Sequence, residues 1–144
     1  MRANDKHIVG DYTTGALHQL SMSAYDESGG YLITTLRSPI MSEPGMATIW
    51  DGVTLDMQMG VGRGLTAHSS SPTVMIRWSD DGGVTWSKQR TRPIGTSGQF
   101  NGRIKLNNLG ASDIQGRIWE VSVSAPVERC FVSMSADVRY AKPR

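Results

Sequence analysis

Thr73-Val74-Met75-Ile76-Arg77-Trp78-Ser79-Asp80-Asp81-Gly82-Gly83-Val84-Thr85-Trp86 is the stretch that decides the fold. Val74, Ile76 and Trp78 alternate with Thr73 and Arg77, the period of two that turns one face of a strand into a core. Asp80-Asp81-Gly82-Gly83 follows, with Asp-Gly and Gly-Gly pairs that favour tight turns, and Trp86 resumes the pattern. A hairpin is expected here. Its centre, Ser79 to Trp86, fits the Asp-box pattern S-x-D-x-G-x-T-W at every defined position. In such a box the Asp and Ser side chains satisfy backbone donors of the turn, Gly supplies a positive φ, and Trp86 is expected to return to the core. Ser79, Asp81, Gly83, Thr85 and Trp86 are therefore candidates for a structural staple, not for a catalytic device.

Outward from this hairpin the same period recurs, and no segment sustains the i, i+3, i+4, i+7 spacing of an amphipathic helix. Ile49, Val53, Leu55, Met57 and Met59 fall on one face of a long strand, interrupted and bent at Asp51-Gly52, while Thr48, Thr54, Asp56 and Gln58 look outward. Further strands are expected at Arg103 to Asn107, Arg117 to Ser124 and Glu128 to Tyr140. The last would carry Cys130, Val132, Met134, Ala136, Val138 and Tyr140 on its apolar side. Turn signals stand at Gly95 to Gly102, Leu109-Gly110 and Ala125-Pro126, and the polar run Gly60 to Pro72 reads as the longest loop. Before all this, Ile8 to Tyr12, Ala16 to Tyr25 and Tyr31 to Leu36 read as a three-stranded meander, one propeller blade's worth. Pro39 and Pro44 mark the boundary after it. The expectation is an all-β chain: a meander over 1–40, then an antiparallel β-sandwich or barrel-like domain over 46–144.

Composition narrows the chemistry. At 144 residues, 38% hydrophobic and 19% charged, the chain is long and apolar enough for one real core and too weakly charged to be disordered. Cys130 is the only cysteine, which rules out an intrachain disulfide framework or a multi-cysteine zinc site, and it is expected to be a small buried residue. His7, His18 and His68 show no metal-ligand spacing. There is no G-x-S-x-G elbow, and Gly60-Val61-Gly62-Arg63-Gly64 lacks the ending of a phosphate loop. No run approaches the roughly 18 apolar residues of a spanning helix, and Met1 to Ile8 lacks the apolar centre of a signal peptide. These signs point away from an enzyme, a cofactor and a membrane. A net charge of +2 cannot by itself carry nucleic-acid binding, so any electrostatic role must be local. Between Asp81 and Asp113 there are Lys88, Arg90, Arg92, Arg103 and Lys105 and no acidic residue. If Trp86 to Arg92 and Arg103 to Asn107 were neighbouring strands, these cations would form a stripe facing phosphate, another subunit or solvent.

A resemblance carries the reading further. Val74 to Ser87, then Gly95 and Gly98 with Phe100 and Arg103, then Leu109-Gly110, then Arg117 leading into Val121-Ser122-Val123-Ser124-Ala125-Pro126-Val127, resembles the carboxy-terminal region of the packaged DNA stabilization proteins of short-tailed bacteriophages. Ile8-Val9-Gly10-Asp11-Tyr12, Tyr25 to Gly30 and Arg37-Ser38-Pro39 resemble the strands that precede that region, so the similarity spans about Lys6 to Val127. The resemblance implies a virion protein of the tail, made in the host cytoplasm, acting as hub, nozzle or adaptor-associated ring. Its implied partners are other tail or portal-adaptor proteins and further copies of itself in a homo-oligomeric ring, with non-specific contact to packaged DNA that is retained and passed on at ejection. Two other readings stay open: a carbohydrate-binding or sialidase-like Asp-box module, which would want paired carboxylates in a pocket and further boxes, and an external tail or capsid accessory protein.

Overall fold

The structure is a computed structural model that describes residues 2–3, 6–21, 24–27, 30–58, 72–95, 101–127 and 130–141. Its strands are β1 (Arg2–Ala3), β2 (Lys6–Gly10), β3 (Leu17–Leu20), β4 (Asp26–Glu27), β5 (Gly30–Tyr31), β6 (Thr34–Arg37) and β7 (Ala47–Gln58), followed by β8 (Thr73–Ser79), β9 (Arg90–Pro93), β10 (Asn101–Asn107), β11 (Ala111–Ser112), β12 (Ile118–Val123) and β13 (Phe131–Ala141). Two antiparallel sheets make a β-sandwich. One runs β6-β12-β8-β9; in the other, β7 is central, with β13 along one edge and β10 then β11 along the opposite edge.

The core follows from alternation. Val74 and Ile76 of β8 lie beside Val123 and Val121 of β12, and all four are buried. They face Trp50, Val53, Leu55 and Met57 of β7 and Ile104 and Leu106 of β10 in the same apolar cluster. Removing these surfaces from water at about 25 cal/mol per Å² is the main force holding the sheets together.

β7 departs from the expected pattern at one residue. Thr48 and Trp50 point inward, as do Val53, Leu55 and Met57, whereas Ile49 is only half-buried. Thr48 and Ile49 therefore exchange the faces that simple alternation assigns them. The cause is a β-bulge: Gly52 pairs with Asp137 and Trp50 with Val138, leaving Asp51 as the extra residue. On the opposite edge the β10–β11 turn fits the same irregularity. Asn108 and Gly110 take positive φ (57° and 73°), the Asn108 amide donates to the Asp51 carbonyl at 3.1 Å, and the Trp50 amide donates to the Gly110 carbonyl at 2.8 Å. β13 is also irregular at its start. Phe131 faces Met57 and Ser133 faces Asp56, so Val132 is extra and 67% exposed. Met134, Ala136 and Val138 pack on the core as expected, but Cys130 is exposed, not buried.

Two further expectations change. β8 returns through β9, which starts at Arg90; Trp86 lies outside the ladder and is half-buried rather than part of the core. β9 and β10, whose adjacency was the condition for a single cationic stripe, belong to different sheets. At the amino end, β1-β2-β3 form a small sheet and β4-β5 a separate pair. The strand expected to close the meander, β6, pairs with β12 instead. The proline-marked segment also stays with the sandwich: the Ser38 amide donates to the Trp119 carbonyl, and Met41 and Arg117 exchange backbone bonds at 2.9 Å. The loop expected over 60–72 lies, apart from Pro72, outside the described residues, as do Met59, His68, Gly98 and Phe100.

Candidate functional site

The Asp box folds as a hydrogen-bonded turn. Ser79 Oγ accepts the Gly83 amide at 2.8 Å and donates to Asp81 Oδ1 at 2.6 Å. The Asp81 carboxylate accepts the Thr85 amide on both oxygens (2.8 and 2.9 Å) and the Thr85 hydroxyl as well. Gly82 and Gly83 sit at φ 73° and 98°, a region that L side chains resist. Bonds from Ser79 first, then from Thr85, hold the Asp81 carboxyl far below the usual carboxylate range. A carboxyl whose folded value lies below its unfolded value stabilises the fold above the unfolded value and loses that contribution as pH falls toward the folded one. Asp81→Asn is therefore expected to flatten the loss of stability below about pH 4. Denaturant midpoints of both proteins between pH 2 and pH 7 check this, and parallel acid limbs would deny it.

The box is joined to the core through a residue that composition did not single out. Arg117, 1% exposed, donates from Nε and Nη2 to the two oxygens of Asp80 at 2.6 and 2.9 Å. Its other donors reach the carbonyls of Leu109 (2.8 Å) and Ala111 (3.3 Å). The guanidinium carbon lies 5.2, 5.1 and 5.4 Å from the ring centroids of Trp50, Trp78 and Trp119. One cation thus ties β7 and the β10–β11 turn in one sheet to β8 and β12 in the other. Its signal in the sequence was a lone Arg directly ahead of the apolar strand Ile118 to Val123.

A second charged group sits on the outer face of the β6-β12-β8 sheet, where Glu120 lies between Arg37 and Arg77 in register. Its carboxylate, 5% exposed as a side chain, accepts both Nε groups at 2.6 Å. Trp86 covers this triad, with its ring centroid 5.1 Å from the Arg37 and 4.8 Å from the Arg77 guanidinium carbon. Burial pushes the Glu120 carboxyl upward, but the bonds from Arg77 and Arg37 outweigh it and the net displacement is downward. Trp86 is therefore a roof over an ion triad, which explains why it does not enter the core.

The five expected cations do not form one stripe. Arg90 bonds the carbonyls of Asn107 and Asn108 at 3.1 and 3.3 Å and stacks on Trp78. Arg103 pairs with Asp56 at 3.0 Å, and Lys105 lies 3.9 Å from Asp137. Lys88 and Arg92 are exposed, and among the described residues Arg92 bonds only the adjacent Thr91 carbonyl. The groove beside the box, lined by Trp78, Asp80, Asp81, Thr85, Trp86 and Ser87, does hold two carboxylates. Both are spoken for, Asp80 by Arg117 and Asp81 by Ser79 and Thr85, so neither is placed to serve as a free acid or base toward a glycosidic bond. Among the described residues no three His, Cys, Asp or Glu side chains gather as a metal would need.

No curated protein matches the chain. Residues 34–128, the span from β6 through β12 that carries the Asp box and both charged clusters, match the family described as bacteriophage P22 Gp10, beta-sandwich, and the chain belongs to that family.

Proposed function

We propose that the protein is a structural, non-catalytic component of a bacteriophage tail, assembled with further copies as a ring beside other tail or portal-adaptor proteins, where it helps to retain packaged DNA and passes it on at ejection. The family match over the sandwich is the observation that carries this reading. The site chemistry supports it: the buried charges are spent on locking two sheets and a turn together, which suits a part that bears load more than one that turns over substrate. β1 to β5 precede the matched span, and we take them as a separate amino-terminal unit, with the sandwich beginning near Thr34.

Contact with DNA, in this reading, falls to Lys88 and Arg92, the two of the five cations without an acidic or capping partner among the described residues. They would touch phosphate without reading sequence. Binding of the protein to duplex DNA is expected to weaken with salt at a log–log slope of about 1.8, roughly 0.9 for each phosphate contacted. The double variant Lys88→Gln, Arg92→Gln should lose that binding, and particles carrying it should assemble but leak DNA at low salt. A reconstruction of the particle should place the chain around the tail channel. Density on the capsid exterior, or retention of DNA unaffected by the double variant, would sink the respective half of the proposal.

A further inference from the structure

A sandwich has four edge strands, and each exposes a row of backbone donors and acceptors that will pair with another strand unless something prevents it. Two edges here are blunted and a third is capped in part. β6 is four residues long and runs into Pro39; β9 is four residues long and contains Pro93. At the end of β10 the carbonyls of Asn107 and the following Asn108 are taken by Arg90, and the Ala111 carbonyl of β11 is taken by Arg117. β13 is different. It runs eleven residues without proline, and among the described residues it pairs only with β7 and no side chain caps its backbone. Beside it lies a groove of about 320 Å³ of mixed lining, with Ser42 and Thr48 among Ile40, Met41, Trp50, Ala136, Val138 and Tyr140, and Tyr140 itself 53% exposed.

We propose that β13 pairs antiparallel with β13 of a second copy of this chain, about a two-fold axis at Val138. The charge pattern selects both occupant and register. Side chains opposite each other in a ladder share a face, so a two-fold pairing must centre on a residue. Centring on Asp137 sets two carboxylates against each other, and centring on Arg139 sets two guanidinium groups together. Centring on Val138 places Asp137 opposite the partner's Arg139, twice by symmetry. Arg139 already holds Asp51 through Nε and Nη2 at 2.6 and 2.7 Å, which fixes it on the outer face and leaves Nη1 for the partner's Asp137. On the inner face Val138 meets the partner's Val138 and Ala136 meets the partner's Tyr140, so each tyrosine ring covers the other subunit's groove. This pairing concerns the free chain and does not rest on the tail reading.

Sedimentation of the full chain at tens of micromolar should give a mass about twice 15.7 kDa. Asp137 is exposed, and among the described residues its one ion-pair partner is Lys105 at 3.9 Å, so Asp137→Arg should fold, as its thermal transition will show. It sets like charges opposite at both symmetric positions and should weaken the dimer roughly tenfold or more. The triple swap Asp51→Arg, Asp137→Arg, Arg139→Asp, which keeps the pair between positions 51 and 139 with its charges reversed, should restore pairing. A wild-type monomer at 100 µM or so, a dimer indifferent to Asp137→Arg, a swap that fails to recover, or a closed ring of more than two copies would each overturn the proposal.

Discussion

Arg117→Ala is expected to cost about 3–5 kcal/mol of folding stability, the range for truncating a large buried side chain that also leaves buried acceptors without donors. The cost has three parts. Asp80 loses both bidentate partners, the Leu109 and Ala111 carbonyls lose their donors, and the space between Trp50, Trp78 and Trp119 is left unfilled. Arg117→Lys should recover little, because an ammonium cannot reach a carboxylate bidentately while also bonding two carbonyls in the same plane. Chemical denaturation of the three proteins decides this. A loss below about 1 kcal/mol for the Ala variant would mean that the tryptophan cage closes without the cation. The functional side follows from geometry: Arg117 is where the Asp box, the β10–β11 turn and both sheets meet. Its removal should loosen their mutual orientation before it unfolds any one of them.

How far such features could be seen in the sequence depends on how local they are. The Asp box was legible because Ser79, Asp81, Gly83 and Thr85 bond one another within a few residues. The strands β8 and β12 were legible because one strand's burial pattern is written in its own alternation. What escaped was set by partners far along the chain. Whether Arg92 and Arg103 share a face depends on which sheet each strand joins, and β9 and β10 join different ones. Trp86 reads as one more apolar residue after Trp78. Its place is fixed by Arg37 and Arg77 on two other strands, themselves aligned by Glu120 on the outer face of β12. Arg117 stands directly ahead of β12 and Glu120 on its outer register, so neither breaks the alternation of Trp119, Val121 and Val123. Their burial is set by neighbours from other strands, which alternation does not show.

The bulge in β7 gives the sharpest contrast between what alternation forecasts and what the fold requires. In a regular strand, deleting one residue turns every side chain beyond it to the other face. Here Asp51 is the surplus residue: without it, Trp50, Gly52 and Val53 would meet Val138, Asp137 and Ala136 in unbroken alternation. Deleting Asp51 should therefore leave every core residue of β7 facing inward, forfeiting the bond from the Asn108 amide, the exposed pair with Arg139 and the match between the bulge and the β10–β11 turn. The protein is expected to fold, with a midpoint below that of the wild type but above that of the following deletion. Deleting Thr54, three residues on, has no such escape. If the carboxy-terminal half of the strand slips, Leu55 and Met57, each 2% exposed, turn to solvent and Asp56 turns inward. If the bulge absorbs the loss instead, Val53 turns outward and Gly52 takes its place in the core. Even this cheaper route gives up a fully buried branched side chain and leaves a void, about 2–4 kcal/mol. Against a total stability of roughly 5–15 kcal/mol that is a large fraction. Thermal transitions of the two deletion proteins test the register directly. Equal destabilisation would mean that Asp51 is a ladder residue like its neighbours, and that the inward turn of both Trp50 and Val53 has some other cause.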